Sequence, residues 1–184
     1  MKGFSKEFSA VAKVVLIGLF VTVFFHPMIH ESGHIIASLL TGGRIISIVW
    51  LPVPNVLCEA DSTNAAAIAI TSLAGIVFPM LFVLPFYKSK GSLRFGLMVF
   101  SAVSVLSAAI GLFTAVLRLY GTAMPDDDVT VFIESTGMVF PTVLIMLSLM
   151  GIAFLQFLLL KPKQIFSKIM DTAKICTAES SMTI

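Results

Sequence analysis

His26-Pro27-Met28-Ile29-His30-Glu31-Ser32-Gly33-His34 closes an apolar run and holds all three histidines of the 184-residue chain. On a helix His30 and His34 lie one turn apart, so both imidazoles project from the same face. Two neutral imidazole nitrogens at that spacing can share one zinc ion, with Glu31 beside them to carry a proton. A random shuffle of this composition gives His-Glu-x-x-His on the order of once in a thousand chains, so the pattern is a signal.

Composition sets the class. Hydrophobic residues make up 58% of the chain and charged residues only 12%, with a mean hydropathy of +1.03. Soluble domains carry about 25% charged residues, so the expectation is a multi-pass integral membrane protein. A hydrocarbon core of about 30 Å takes roughly 20 helical residues per crossing, which leaves room for four spans and little soluble mass. The net charge of +2 resides at span ends and gives no ground for a nucleic-acid partner. Cys58 and Cys176 are too few and too far apart for a cysteine metal cluster or a disulfide framework.

The chain reads as a single membrane-embedded domain over 1–184. Val11–Phe25 resembles a signal-peptide core behind Lys2, Lys6 and Lys13, but no polar break separates it from the histidines, which argues against cleavage. The first span is expected over about 11–41, kinked by Pro27 and ended by Gly42-Gly43. Residues 44–60 are rich in β-branched side chains and carry Pro52 and Pro54, so they predict a short re-entrant or extended hairpin. Extended backbone cannot face lipid, so such a hairpin must pack on protein or line a wet cavity. Further spans are expected at 64–87, 92–118 and 139–160, with a short helix over Val129–Ser135 stopped at Gly137. The second span opens with Ala65, Ala66, Ala67, Ala69, Ser72, Ala74 and Gly75, small residues that let helices approach closely. The fold class is therefore all-α, a four-span helical bundle with a β-like hairpin after the first span.

Charge decides the orientation. Four spans put Lys2, Lys6, Lys13, Lys88, Lys90, Arg94, Lys161, Lys163, Lys168 and Lys174 on one side, against Arg44 and Arg118 on the other. That asymmetry places both termini in the cytoplasm. The histidines and Asp126-Asp127-Asp128 then share the opposite, extracytoplasmic end.

A catalytic zinc takes three protein ligands and keeps a fourth position for water. His30 and His34 supply two. The triple aspartate is the best source of the third, with Asp128 favoured because it leads directly into the helical pattern, Asp127 next, and Asp126 read as a cap. His26 and Glu134 are weaker substitutes. Helix capping alone accounts for any two of the three aspartates. At such a site zinc lowers the pKa of water toward about 7. Glu31 takes the proton as the water attacks a peptide carbonyl, then passes it to the departing amine.

These residues resemble the site-2-protease group of intramembrane zinc metalloproteases. The likeness is carried by His30-Glu31-Ser32-Gly33-His34, by Ile35-Ile36-Ala37-Ser38 and Thr41-Gly42-Gly43 after it, by the β-like stretch, by Ser72-Leu73-Ala74-Gly75 and by a late aspartate. It covers roughly Val14–Gly137. It implies one zinc per chain and cleavage of transmembrane protein or peptide substrates, with a substrate strand pairing along the 44–60 edge. The chain departs from the family's pattern in two places. The usual Leu-Asp-Gly is replaced by Asp126-Asp127-Asp128-Val129, and Phe78-Pro79 follow Gly75 where an asparagine often stands, with Asn64 the nearest substitute amide.

Two other functions use the same residues. One is an inactive relative serving as a membrane chaperone or binding protein, which would have no need of Glu31. The other is a metal-ion transporter, which needs ligands continuing through the bundle, whereas the second and third spans offer only Ser and Thr. A catalytic core of this size leaves room for a regulatory membrane partner or a homo-oligomer.

Overall fold

The structure is a computed structural model that describes residues 2–59, 64–122, 124, 127–165 and 167. It is 78% helical with one two-stranded hairpin. Among the described residues, four helical stretches are long and apolar enough to cross a membrane: Val11–Leu40, Ala65–Phe86, Gly91–Leu119 and Val139–Ile165. The shortest has 22 residues, about 33 Å of helix at 1.5 Å per residue. These bounds match the four expected spans closely.

The first stretch is α1 (Lys2–Phe20), a π-helical turn (Val21–Phe25) and α2 (His26–Leu40). The sequence predicts a kink at Pro27, and the structure meets that demand one turn earlier. Pro27 has no N–H to give its own turn, and its ring crowds the carbonyl four residues back. The widened turn before it, in which the His26 N–H reaches back to the Val21 carbonyl, absorbs this without breaking the helix. Val21 and Ile29 then pack in one cluster with Val83 and Phe100.

The chain leaves α2 through a tight cap. The Thr41 hydroxyl donates to the carbonyls of Ala37 and Ser38. Gly42 adopts φ +82°, a left-handed conformation that favours glycine. β1 (Arg44–Val49) and β2 (Asn55–Glu59) follow as an antiparallel hairpin with an irregularity between Ile45 and Ser47. Arg44 and Glu59 pair across its base. Ile45, Val56 and Cys58 are half-buried, while Ile46 and Leu57 are exposed.

α3 (Ala65–Val83) is capped by Asn64, whose side chain accepts from the Ala67 N–H at 3.1 Å. The amide considered for the site is thus spent on a helix start. The small residues of α3 do what their size predicts, and α2 lies close against them. A Cβ at Gly33 would stand 2.5 Å from the Ala74 carbonyl oxygen and 2.8 Å from Phe78 Cβ. α4 (Gly91–Leu119), α5 (Asp128–Thr136) and α6 (Val139–Leu159) complete the main core with α3, through Ile76, Met80, Ala108, Ala115, Val129, Ile133 and Met146. At Gly111 a Cβ would meet Met146 Sδ and Val129 Cγ2, both at 3.0 Å, so the absence of a side chain there lets α4, α5 and α6 meet. α5 ends at Gly137, φ +69°, whose N–H returns to the Ile133 carbonyl. This packing fixes the start of α5 beside α2 and α3.

Candidate metal centre

Three potential ligand atoms converge from two elements, with His34 and Asp128 94 residues apart in sequence. His30 Nε2 and His34 Nε2 lie 3.2 Å from each other. Asp128 Oδ2 lies 3.2 Å from the first and 3.3 Å from the second. Among the described residues this is the group of three that could hold a metal ion. The two histidines come from one face of α2, as their spacing dictates. The aspartate is the first residue of α5.

The hydrogen bonding of His34 shows what the cluster needs. His34 Nδ1 lies 2.8 Å from the carbonyl oxygen of Thr71 on α3. A carbonyl only accepts, so Nδ1 carries the proton and the neutral ring presents a bare lone pair at Nε2. Asp128 Oδ2 presents another at 3.3 Å. Two acceptors facing each other repel unless a proton or a cation sits between them. A tetrahedral ion with ligands at about 2.0–2.1 Å would space its ligand atoms about 3.3 Å apart. The observed separations of 3.2, 3.2 and 3.3 Å fit zinc in size, and two imidazoles with one carboxylate fit it in chemistry. The His34–Thr71 bond is also the outer partner that metal-bound histidines usually have.

Gly75 makes the room. A Cβ built on it would overlap His34 Nε2 and lie 2.7 Å from both Cε1 and Nε2 of His30. Any side chain at Gly75 would therefore push the imidazoles apart. Burial alone would push the Asp128 carboxyl up, but a proton held between it and the imidazoles of His30 and His34 more than offsets this and keeps it below the usual carboxylate range.

Glu31 lies on the same turn of α2. Its Oε2 accepts the Val56 N–H of β2 at 3.0 Å. The hairpin thereby holds the carboxylate in place, and the resulting cavity of about 900 Å³ is lined by His30, Glu31, His34 and Asp128 together. β2 sets Val56 and Cys58 against this cavity, whereas β1 is exposed over most of its length.

The remaining candidates have other occupations. Asp127, weighed as the next choice for the third ligand, is the N-cap of α5, accepting from the N–H of Val129 at 3.1 Å and of Thr130 at 3.2 Å. Burial raises its pKa, only partly countered by those amides. The cap expected at Asp126 thus falls to Asp127, because the chain turns helical at Asp128; Asp126 itself lies outside the described residues. His26 is buried with its Nε2 3.2 Å from Ser104 Oγ. Ser104 donates its own proton to the Phe100 carbonyl, so His26 is the donor to Ser104. Glu134 pairs with Arg118 at 2.7 Å.

Two participants escaped the sequence. Gly75 was legible as a small residue for helix packing, but nothing in the sequence shows that imidazoles fill its place. Thr71 acts through its backbone carbonyl, which no residue pattern encodes. No protein family, curated protein or solved structure matches the chain.

Proposed function

We propose that the chain is a multi-pass intramembrane zinc metalloprotease that hydrolyses peptide bonds of transmembrane substrates. The observation that carries this reading is the convergence of His30, His34 and Asp128 beside Glu31 in one cavity. The four apolar helices and their outward-facing side chains, such as Leu16 at 65%, Leu144 at 51% and Leu155 at 58% exposure, support a bilayer environment, since soluble monomers rarely expose large contiguous apolar surfaces. The lysine asymmetry supports cytoplasmic termini and a site at the opposite end of the bundle.

His30, His34 and Asp128 would hold the zinc. Bound there, it would supply Lewis acidity toward a water and a substrate carbonyl. The protein groups do the rest. Oε2 of Glu31 is held by the Val56 amide, which leaves Oε1 as the atom that exchanges protons. As the water oxygen bonds to the peptide carbon, Oε1 takes its proton; as the C–N bond breaks, Oε1 delivers that proton to the amine nitrogen. The Thr71 carbonyl keeps His34 in the tautomer whose Nε2 is free to ligate.

Glu31 weighs against a pure binding protein, which has no use for a proton carrier lining the cavity. A transporter would need further ligand sets along its path, and among the described residues the one cluster of three is the one described. The reading is tested by zinc content and by cleavage of a single-span reporter in membranes, for wild type and Glu31→Gln. Loss of cleavage with zinc retained supports it. Equal cleavage by the two proteins would sink it.

A further inference from the structure

The cavity wall carries polar groups that the ligand cluster leaves unused. Thr22, His26 and His30 all line it, one above the other along a single face of the first long helix. His26 is only 4% exposed, with its ring 4.8 Å from that of Phe100 and its Nε2 spent on Ser104. Because Nε2 carries the proton, Nδ1 is a bare acceptor, and among the described residues no donor reaches it. The π-helical turn supplies a second acceptor. Its register hands the His26 N–H to the Val21 carbonyl, five residues back. The same register assigns the N–H of residue 27 to the Thr22 carbonyl, and Pro27 has none to give. Widened turns of this kind recur at functional sites.

We propose that His26 Nδ1 and the Thr22 carbonyl form an acceptor subsite that binds backbone N–H groups of the unwound substrate beside the scissile bond. The proposal rests on the proteolytic reading above and names how that substrate is held. A membrane helix must unwind before one of its peptide bonds can reach Glu31 and the three ligands. Unwinding strips its N–H groups of their partners, which is costly in an apolar setting. Two neutral acceptors with no donor between them suit such groups and offer nothing to an anion. The spacing agrees. His26 stands one turn from His30, about 5.4 Å along the axis, and Thr22 about one turn further. In an extended chain every second N–H points the same way, roughly 6.6 Å apart. The subsite therefore meets two amides about two residues apart in the strand that runs on from the cluster.

The test uses two substitutions that divide the ring of His26. His26→Gln keeps a donor for Ser104 where Nε2 stood and removes the Nδ1 acceptor. His26→Asn keeps an acceptor where Nδ1 stood and removes the donor. In the Glu31→Gln protein, a synthetic single-span peptide should bind about tenfold more weakly once His26→Gln is added. His26→Asn should bring affinity back to within about threefold. Zinc content should stay near one per chain in both. With Glu31 intact, the loss in His26→Gln should fall on KM rather than kcat. Peptides N-methylated at one amide at a time locate the contact, and comparing two proteins cancels any effect on the free peptide. Methylation at one position should cost about tenfold with His26 present and less than about twofold with His26→Gln. A second sensitive amide two residues away, indifferent to His26→Gln, marks the Thr22 carbonyl. Undiminished binding by His26→Gln, or a loss confined to His26→Asn, makes His26 a tether between α2 and α4 and overturns the subsite. Equal methylation losses in both proteins at every position overturn it too, since a held water gives that pattern. Binding is read without turnover, so the two readings separate. A wild-type protein that cleaves nothing but keeps the His26-dependent amide removes the protease and leaves the subsite standing.

Discussion

The backbone carbonyl of Thr71 accepts the Nδ1 proton of His34 at 2.8 Å, and that bond decides which nitrogen of His34 faces Asp128. Because Nε2 is left bare, His34, His30 and Asp128 form a triangle of donors to a cation. Without a cation or an extra proton it would be three acceptors held against each other.

Glu31→Gln keeps the size of the side chain and an acceptor oxygen for the Val56 amide, and removes the proton carrier. Reporter cleavage should fall by about 10³-fold, within the range general acid–base groups contribute. Zinc content, read by atomic absorption on purified protein, should stay near one per chain.

The neighbouring aspartates should part company. Asp128→Asn takes away the carboxylate that faces both imidazoles, and zinc affinity in a competition assay should drop by more than the 10- to 100-fold typical of losing an outer partner. Asp127→Ala removes the cap on the Val129 and Thr130 amides and should cost about 1 kcal/mol of stability. Its zinc content should be retained. Equal zinc loss in both variants would show that the cap and the ligand cannot be told apart.

Gly75→Ala should abolish zinc binding, since its methyl would overlap His34 Nε2. The matched control is Gly151→Ala in α6, where a Cβ meets nothing within 4 Å. That change should leave zinc in place and raise helix stability by up to about 1 kcal/mol. Zinc bound equally by the two variants would mean that the imidazoles do not need the space at Gly75.

Gly137→Ala tests the anchoring of α5 from its far end. Gly137 sits at φ +69°, which costs a residue with a Cβ roughly 1 kcal/mol. The thermal midpoint should fall by a few degrees. Zinc affinity should fall only modestly, because Asp128 is nine residues away at the other end of α5.

Much of the architecture was legible because long apolar helices are written in long apolar runs and their ends in Gly, Pro and charge. The helix stop at Gly42, the hairpin over 44–60 and the short helix ending at Gly137 were read from such local chemistry. The π-helical turn was not. Pro27 announces that something must give, but which turn gives depends on how Val21 and Ile29 pack with Val83 and Phe100. The division of labour among the aspartates was legible only as a choice, since all three have the same chemistry. The residue that turns helical first decides which carboxylate points inward and which folds back on the amides.

By itself, the sequence determined the pair of imidazoles and their carboxylate neighbour, because helical periodicity is a property of α2 alone. Only the tertiary structure decided that Asp128 completes the set, that Thr71 fixes the tautomer and that Gly75 clears the space. Those facts depend on where α3 and α5 come to rest against α2. That placement is set by small residues allowing close approach and by a core built from four helices, and no stretch of sequence contains it.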